Sequence, residues 1–140
     1  MEDLERFVWA QDKYYETALS EVRKGRKVSH WMWFIFPQIK GLGYSDISKF
    51  FSIQSRGEAE AYLAHPVLGK RLEEISEVLL DLKTDDPIEV FGSIDAIKLQ
   101  ACMTLFFWVS RKDVFADVLV KYYNGVAHWE TVEKLREMEV

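Results

Sequence analysis

The sequence has little cysteine and little histidine. Its one cysteine, Cys102, excludes an internal disulfide and fits a reducing compartment. Cys102 lies in an apolar stretch, which predicts a buried and unreactive thiol. The three histidines, His30, His65 and His128, lie far apart along the chain. We therefore predict no metal site, because a structural zinc ion needs several closely placed cysteine or histidine ligands.

Long apolar runs and familiar catalytic motifs are also missing. The longest apolar runs, "WMWFIF" and "ACMTLFFWV", are far shorter than the ~20 residues of a membrane helix. The first residues, "MEDLERF", are acidic and polar, unlike a secretory signal. The chain has no GxxxxGK[ST] loop, no HExxH and no nucleophile elbow. These absences predict a soluble cytoplasmic protein that does not bind membranes, and they indicate no cofactor.

The composition predicts a well-packed domain. Of the 140 residues, 49% are hydrophobic and 14% are aromatic, enough for one substantial core. Helix signals recur, whereas the apolar runs at 31–36 and 106–109 lack the hairpin partners and the alternation that strands would show. We predict an all-α fold, one compact domain over 1–140, with seven or eight short helices around a central apolar helix at about 94–110.

Local signals predict several helix boundaries. Asp12 breaks the first helix or caps its continuation. Ser29 caps a short helix that ends before Pro37, because proline disfavours helical backbone in the preceding residue. Ser45 caps a helix that extends to about 53. The "SRGE" motif that begins at Ser55 is a capping box, in which the serine and the glutamate each bond the other's amide.

The charge is unevenly distributed. The net charge is −5, which argues against broad coating of nucleic acid. Between Val22 and Ser45, however, there are five cations and no acid, whereas the other residues carry 13 cations and 23 acids. The stretch "GRKVSHWMWFIFPQIKGLGYS" adds dense aromatic residues and glycines to that positive charge. This combination predicts a pocket that receives an anion.

The loop "KGLGYSD" supplies part of the predicted pocket. Gly41 and Gly43 permit a positive φ and would bring backbone amides close to a ligand. Lys40 supplies charge at the loop entrance, and Ser45 stands at a helix start, where free amides favour an anion. The alternative is that this segment is an ordinary turn between two helices.

The block "SHWMWFIFPQ" supplies the other part. His30 could donate to a phosphate or exchange protons, and it is the one nominee for proton transfer if the protein is an enzyme. Trp31 or Trp33 could stack on a base or form the wall of the cavity. Gln38 offers both a donor and an acceptor. The alternative is a histidine near a helix cap and two tryptophans that fill the core.

Lys98 is a second candidate cation for the pocket. It falls on the same side of the predicted central helix as Ile94 and Cys102, where a lysine must extend to solvent, pair with an acid or face a polar pocket. Asp95, three residues earlier, is the nearest partner in sequence. Pairing with Asp95 or extension to solvent is the structural alternative to a ligand-binding role.

The blocks "SHWMWFIFPQIKGLGYS", "RFVWAQ", "AYLAHPVLGKRL" and "KLQACMTLFFW" cover much of the chain. In these blocks the chain resembles an uncharacterised bacterial and fungal family, a domain of unknown function that is sometimes mislabelled as calpastatin. The resemblance implies a small multihelical domain and little about activity. Nothing supports the inhibitor label, because calpastatin is disordered whereas this chain is compact and aromatic. Cys102 stands where the family usually has serine before "MTLF".

Three functions follow as hypotheses. The first is a pocket for a phosphorylated or carboxylated, nucleotide-like small molecule. The second is a protein-interaction module that uses the cations at 23–27 to bind an acidic partner. The third is single-stranded nucleic-acid binding, which ranks last because it requires exposed rings and these rings lie in a segment that is apolar on all sides. We choose the first.

Overall fold

The computed structural model describes residues 3–139; Met1, Glu2 and Val140 of the predicted 1–140 domain lie outside that range. Within it the chain forms one compact domain of eight helices and no strand, which confirms the all-α prediction. The helices are α1 (Glu5–Arg23), α2 (Met32–Ile35), α3 (Asp46–Phe50), α4 (Arg56–Ala64), α5 (Leu68–Asp81), α6 (Pro87–Ser110), α7 (Asp113–Tyr123) and α8 (Trp129–Met138).

Helix α6 is the central helix. It packs against α4, α7 and α8, and Leu99, Met103 and Phe106 are fully buried. Gly92 has φ 81°, a left-handed value that interrupts the helix, so the predicted 94–110 helix is the part that follows this break. Helix α6 is long and apolar enough to cross a membrane, but 56% of its most apolar stretch is buried. Such burial is typical of the core helix of a soluble protein.

Two predicted helix boundaries are wrong. Asp12 does not interrupt α1, because its side chain is exposed and pairs at 3.1 Å with Arg71 of α5. Ser29 does not cap α2: its hydroxyl donates to Glu21 at 2.6 Å instead, and the helix begins after Trp31. In both cases a residue of another helix provides the partner.

The serine caps of α3 and α4 are confirmed. The hydroxyls of Ser45 and Ser55 each accept a hydrogen bond from the amide three residues later. The glutamate half of the predicted capping box is wrong, because the Glu58 carboxylate does not return to Ser55. It accepts from the amide of Gln54 at 3.0 Å and pairs with Arg6 of α1 at 2.8 Å. A buried ion pair between two helices thus replaces a local bond.

A parallel bridge between Ile39 and Ile53 positions the loop after α2. The Ile53 amide donates to the Gln38 carbonyl at 2.8 Å, and the Lys40 amide donates to the Ile53 carbonyl at 2.9 Å. This pairing explains why α3 ends at Phe50, earlier than predicted. It also fixes Gln38 and Lys40 beside the segment that follows α3.

Candidate functional site

Three clefts surround the indole of Trp33. The largest, the loop cleft, has a volume of about 400 Å³ and lies between Gln38, Lys40 and Lys49. The helix cleft, of about 260 Å³, lies between Gln38 and His128. The smallest, the histidine cleft, of about 180 Å³, is next to His30. Because Trp33 lines all three, its position determines the shape of each.

Cations surround the loop cleft. Lys40 and Lys49 line it, both are exposed, and no Asp or Glu is among its lining residues. Lys134 of α8 approaches the same loop, since its ammonium nitrogen would lie 3.3 Å from a Cβ added to Gly41. Among residues 3–139, no carboxylate forms an ion pair with any of these three lysines. Their charge is therefore available to a ligand.

The two glycines of the loop have different roles. Gly41 has φ 96°, the left-handed conformation that the sequence predicts. Gly43 does not have a positive φ, although glycine would permit one there. A Cβ on Gly43 would lie 2.6 Å from the Ser48 hydroxyl and 3.2 Å from Cη2 of Trp33. Gly43 is required because the loop packs closely against these two side chains.

Gln38 is buried without a complete set of hydrogen bonds. Its side chain lines both the loop cleft and the helix cleft, and only 6% of the residue is exposed. Within the described part of the chain, its Nε2 is the one fully buried side-chain nitrogen or oxygen without a partner. An unpaired buried donor costs roughly 1–3 kcal/mol. Gln38 therefore places an unsatisfied buried donor in a residue at the boundary of the two clefts.

One acid pairs with both lysines of the helix and histidine clefts. Asp95 pairs with Lys27 and with Lys98, at 3.0 Å each. Burial alone would raise the pKa of Asp95, but its hydrogen bonds to the two ammonium groups lower it. Lys98 thus pairs with Asp95, which is the structural alternative to its predicted ligand-binding role. It lines the helix and histidine clefts but not the loop cleft.

The two tryptophans differ in their availability to a ligand. Trp31 is fully buried, and its indole Nε1 donates to Glu21 at 3.0 Å, so its ring cannot stack on a base. Trp33 is half-buried and is the ring that lines the clefts. His30 is exposed and shares the histidine cleft with Lys98 and Trp33.

Ser45 lies outside the three clefts. Its hydroxyl is already engaged by the Ser48 amide, and α3 has only five residues. The predicted set of His30, Gln38, Ser45 and Lys98 does not converge in one cavity. Lys98 shares the histidine cleft with His30 and the helix cleft with Gln38, whereas Gln38 shares the loop cleft with Lys40, Gly41 and Gly43.

Glu21 orders the segment behind the clefts, and the sequence analysis missed it. Its carboxylate accepts hydrogen bonds from the Val28 amide, from the Ser29 amide and hydroxyl, and from the Trp31 indole. Burial raises the pKa of Glu21, but these hydrogen bonds outweigh it and lower the pKa to about 2. The available signal was an acid in the last turn of α1, where the helix dipole is unfavourable to negative charge.

Three further residues line or approach the clefts without any sequence signal that predicts it: Lys49, Lys134 and His128. His128 caps α8: its Nδ1 accepts from the Thr131 amide, and its own amide donates to Thr104 of α6 at 2.9 Å. Lys134 and His128 belong to the C-terminal part of the chain, distant in sequence from Gly41. Only the tertiary fold brings them to the same place.

Part of the predicted basic segment faces a separate surface. Lys24 and Arg26, with Lys83 from the loop before α6, line an open groove of about 820 Å³ that we term the basic groove. Glu89 is the one acid that lines it. Within residues 3–139, no group of three or more His, Cys, Asp or Glu side chains could hold a metal ion.

Comparisons with known proteins agree with this architecture. The crystal structure of the conserved hypothetical protein Rv1873 from Mycobacterium tuberculosis superposes with a TM-score of 0.94 at 42% identity, over 96% of each chain. No curated protein matches the chain. The profile of one family matches residues 1–135, in agreement with the resemblance seen in the sequence blocks. The chain therefore belongs to the family described as "Protein of unknown function (DUF1810)".

Proposed function

We propose that this protein binds a small phosphorylated or carboxylated molecule in the loop cleft. The observation that carries the proposal is the buried Nε2 of Gln38, which lacks a hydrogen-bond partner and belongs to a residue that lines this cleft. Buried polar groups are almost always satisfied in proteins. An oxygen of a bound anion would supply the missing acceptor.

The lysines around the cleft determine that the charge of the ligand is negative. Lys40, Lys49 and Lys134 surround the loop, although the protein has a net charge of −5. A local group of cations within a negative protein attracts anions to that position. Lysine ammonium groups and an amide N–H are ordinary donors to phosphate and carboxylate oxygens.

The size and walls of the cleft suit a small organic molecule. Its volume of about 400 Å³ lies within the roughly 300–1,000 Å³ that is usual for small-molecule sites. Trp33, Ile39 and Phe51 supply apolar walls. No acid lines the cleft, and His30 lies in the histidine cleft instead. We therefore propose binding and assign no reaction, and His30 stays the nominee for proton transfer.

Isothermal titration calorimetry with inorganic phosphate and adenosine monophosphate tests this proposal. Lys40→Glu reverses a charge at the cleft, and Lys70→Glu makes the same change at an exposed position on α5, outside the cleft. We expect saturable binding to the wild type, at least tenfold weaker binding to Lys40→Glu and unchanged binding to Lys70→Glu. No binding to the wild type at millimolar ligand, or equal losses in both variants, would overturn it.

The basic groove supports a second candidate function, recognition of an acidic protein segment. Lys24, Arg26 and Lys83 line it against the single acid Glu89, and Ile88 adds an exposed apolar contact. A fluorescent hexaglutamate peptide is a suitable probe. This function predicts salt-sensitive binding that Arg26→Glu removes and Lys40→Glu preserves. Binding that does not respond to Arg26→Glu would exclude the groove as its site.

The binding of single-stranded nucleic acid has less support as a function. The rings of Trp31, Phe34 and Phe36 are buried, so they offer no faces on which bases could stack.

We propose a cytoplasmic location, and its support is the free, buried thiol of Cys102.

A further inference from the structure

The helix cleft adjoins the loop cleft and differs from it in chemistry. Trp33, Gln38 and Leu42 line both clefts, so these side chains form a shared boundary. The far side of the helix cleft consists of Ile94 and Ile97 of α6 together with His128 and Glu130. Half of the lining residues are thus aliphatic or aromatic, and the other half are polar or charged.

The helix cleft holds little net charge. Glu130 contributes a carboxylate, and Lys98 contributes an ammonium that is already paired with Asp95 at 3.0 Å. A second anionic group would therefore find no unpaired cation there. At about 260 Å³ the cleft is also smaller than the roughly 300 Å³ at which complete small-molecule sites begin. It suits one uncharged part of a ligand.

His128 supplies the helix cleft with a neutral donor. Its Nδ1 accepts from the Thr131 amide and lies 2.8 Å from the Thr131 hydroxyl. In the tautomer in which Nδ1 accepts from the Thr131 amide, the ring proton is on Nε2, which is then a donor. Burial lowers the pKa of His128, so the imidazole stays neutral at neutral pH. A ring nitrogen or carbonyl oxygen of a ligand would match this donor.

We infer that the helix cleft receives a planar heteroaromatic ring, of the nucleobase class, whose anionic group occupies the loop cleft. Trp33 and the aliphatic side chains of Leu42 and Ile97 would enclose the ring, while His128 would donate to it. The inference rests on the proposed anion site, because it assigns the uncharged half of that ligand. It identifies the ligand class as a nucleoside phosphate.

The test compares inorganic phosphate with the four common ribonucleoside monophosphates. Ile97→Glu places a charge in the helix cleft at a position that is 56% exposed, so the fold should tolerate it. Ile88→Glu is a matched control, since Ile88 is on the same helix, is also 56% exposed and lines the basic groove instead. His128→Asn keeps an N-cap acceptor but removes the ring donor.

We expect at least one nucleotide to bind the wild type ten or more times as tightly as phosphate. Ile97→Glu should reduce the affinity for that nucleotide to the affinity for phosphate. His128→Asn should reduce the affinity for the nucleotide several-fold. Neither variant should alter the binding of phosphate. Ile88→Glu should change nothing. If phosphate binds but no nucleotide binds more tightly, or if Ile97→Glu leaves nucleotide binding intact, the inference fails and the anion site stands. If neither phosphate nor any nucleotide binds, both fail.

Discussion

The ammonium of Lys98 lies 4.2 Å from the centroid of the Trp33 ring. Asp95 holds it there at 3.0 Å and also pairs with Lys27, in the loop after α1. The ring that lines all three clefts is therefore linked through a charge network to the loop after α1. Substitutions in this charge network should alter the clefts, because they should move the Trp33 ring.

Lys98→Met should loosen the Trp33 ring. Methionine keeps an aliphatic stem but removes the cation, and a partly exposed cation–π contact contributes roughly 0.5–1 kcal/mol. We expect a stability loss of about that size and a shifted Trp33 indole N–H resonance in nuclear magnetic resonance spectra. Lys13→Met, which removes a lysine ammonium 3.9 Å from the ring of Trp9, should leave the Trp33 resonance in place. An unmoved Trp33 resonance in Lys98→Met would show that the cation does not position the ring.

Glu21→Gln should destabilise the fold at neutral pH by about 2 kcal/mol, because hydrogen bonds to a charged group are stronger than those to a neutral one. Urea denaturation measures this loss. Glu16→Gln, at an exposed site on the same helix, should change stability by less than about 0.5 kcal/mol.

The effect of Glu21 should also depend on pH. The pKa of this carboxyl is about 2 in the fold, against an ordinary value of 4.5, so the unfolded chain binds more protons between these values. Its stabilisation is complete above pH 4.5 and is lost as the pH falls from 4.5 towards 2. The gap in unfolding free energy between wild type and Glu21→Gln should shrink over that range. A gap that stays constant from pH 7 to pH 3 would contradict this account of Glu21.

Gly43→Ala should disturb both the fold and the loop cleft. The added Cβ would lie 2.6 Å from the Ser48 hydroxyl and 3.2 Å from the Trp33 ring, so one of them must move, at a cost of roughly 1–3 kcal/mol. We expect a lower midpoint of thermal unfolding and weaker phosphate binding. Gly57→Ala, at an exposed position in α4, should be neutral or stabilising by up to about 1 kcal/mol. Equal behaviour of the two variants would show that the close contact at Gly43 is dispensable.

The sequence predicted features that depend on neighbouring residues. Ser45 and Ser55 cap their helices, and α2 ends before Pro37. In each case the cause is a backbone preference or a hydrogen bond that spans a few positions.

Features that depend on tertiary contacts could not be predicted from the sequence. Ser29 is a good cap by type, but Glu21 from the preceding helix takes its hydroxyl. Gly43 is required by the indole of Trp33, and Lys134 reaches Gly41 from the last helix. No local rule determines which side chains meet in this way, so the division of the expected pocket into separate clefts could not be predicted.

The most direct test of the account is Gln38→Met, measured by thermal unfolding with and without phosphate. Methionine is close to glutamine in shape and removes the unpaired amide, and an unsatisfied buried group costs roughly 1–3 kcal/mol. If Gln38 is retained to bind an anion, the ligand-free variant should unfold at a higher temperature than the wild type, and the stabilisation by phosphate should disappear. A variant that unfolds at a lower temperature, or that phosphate stabilises as much as the wild type, would contradict the account.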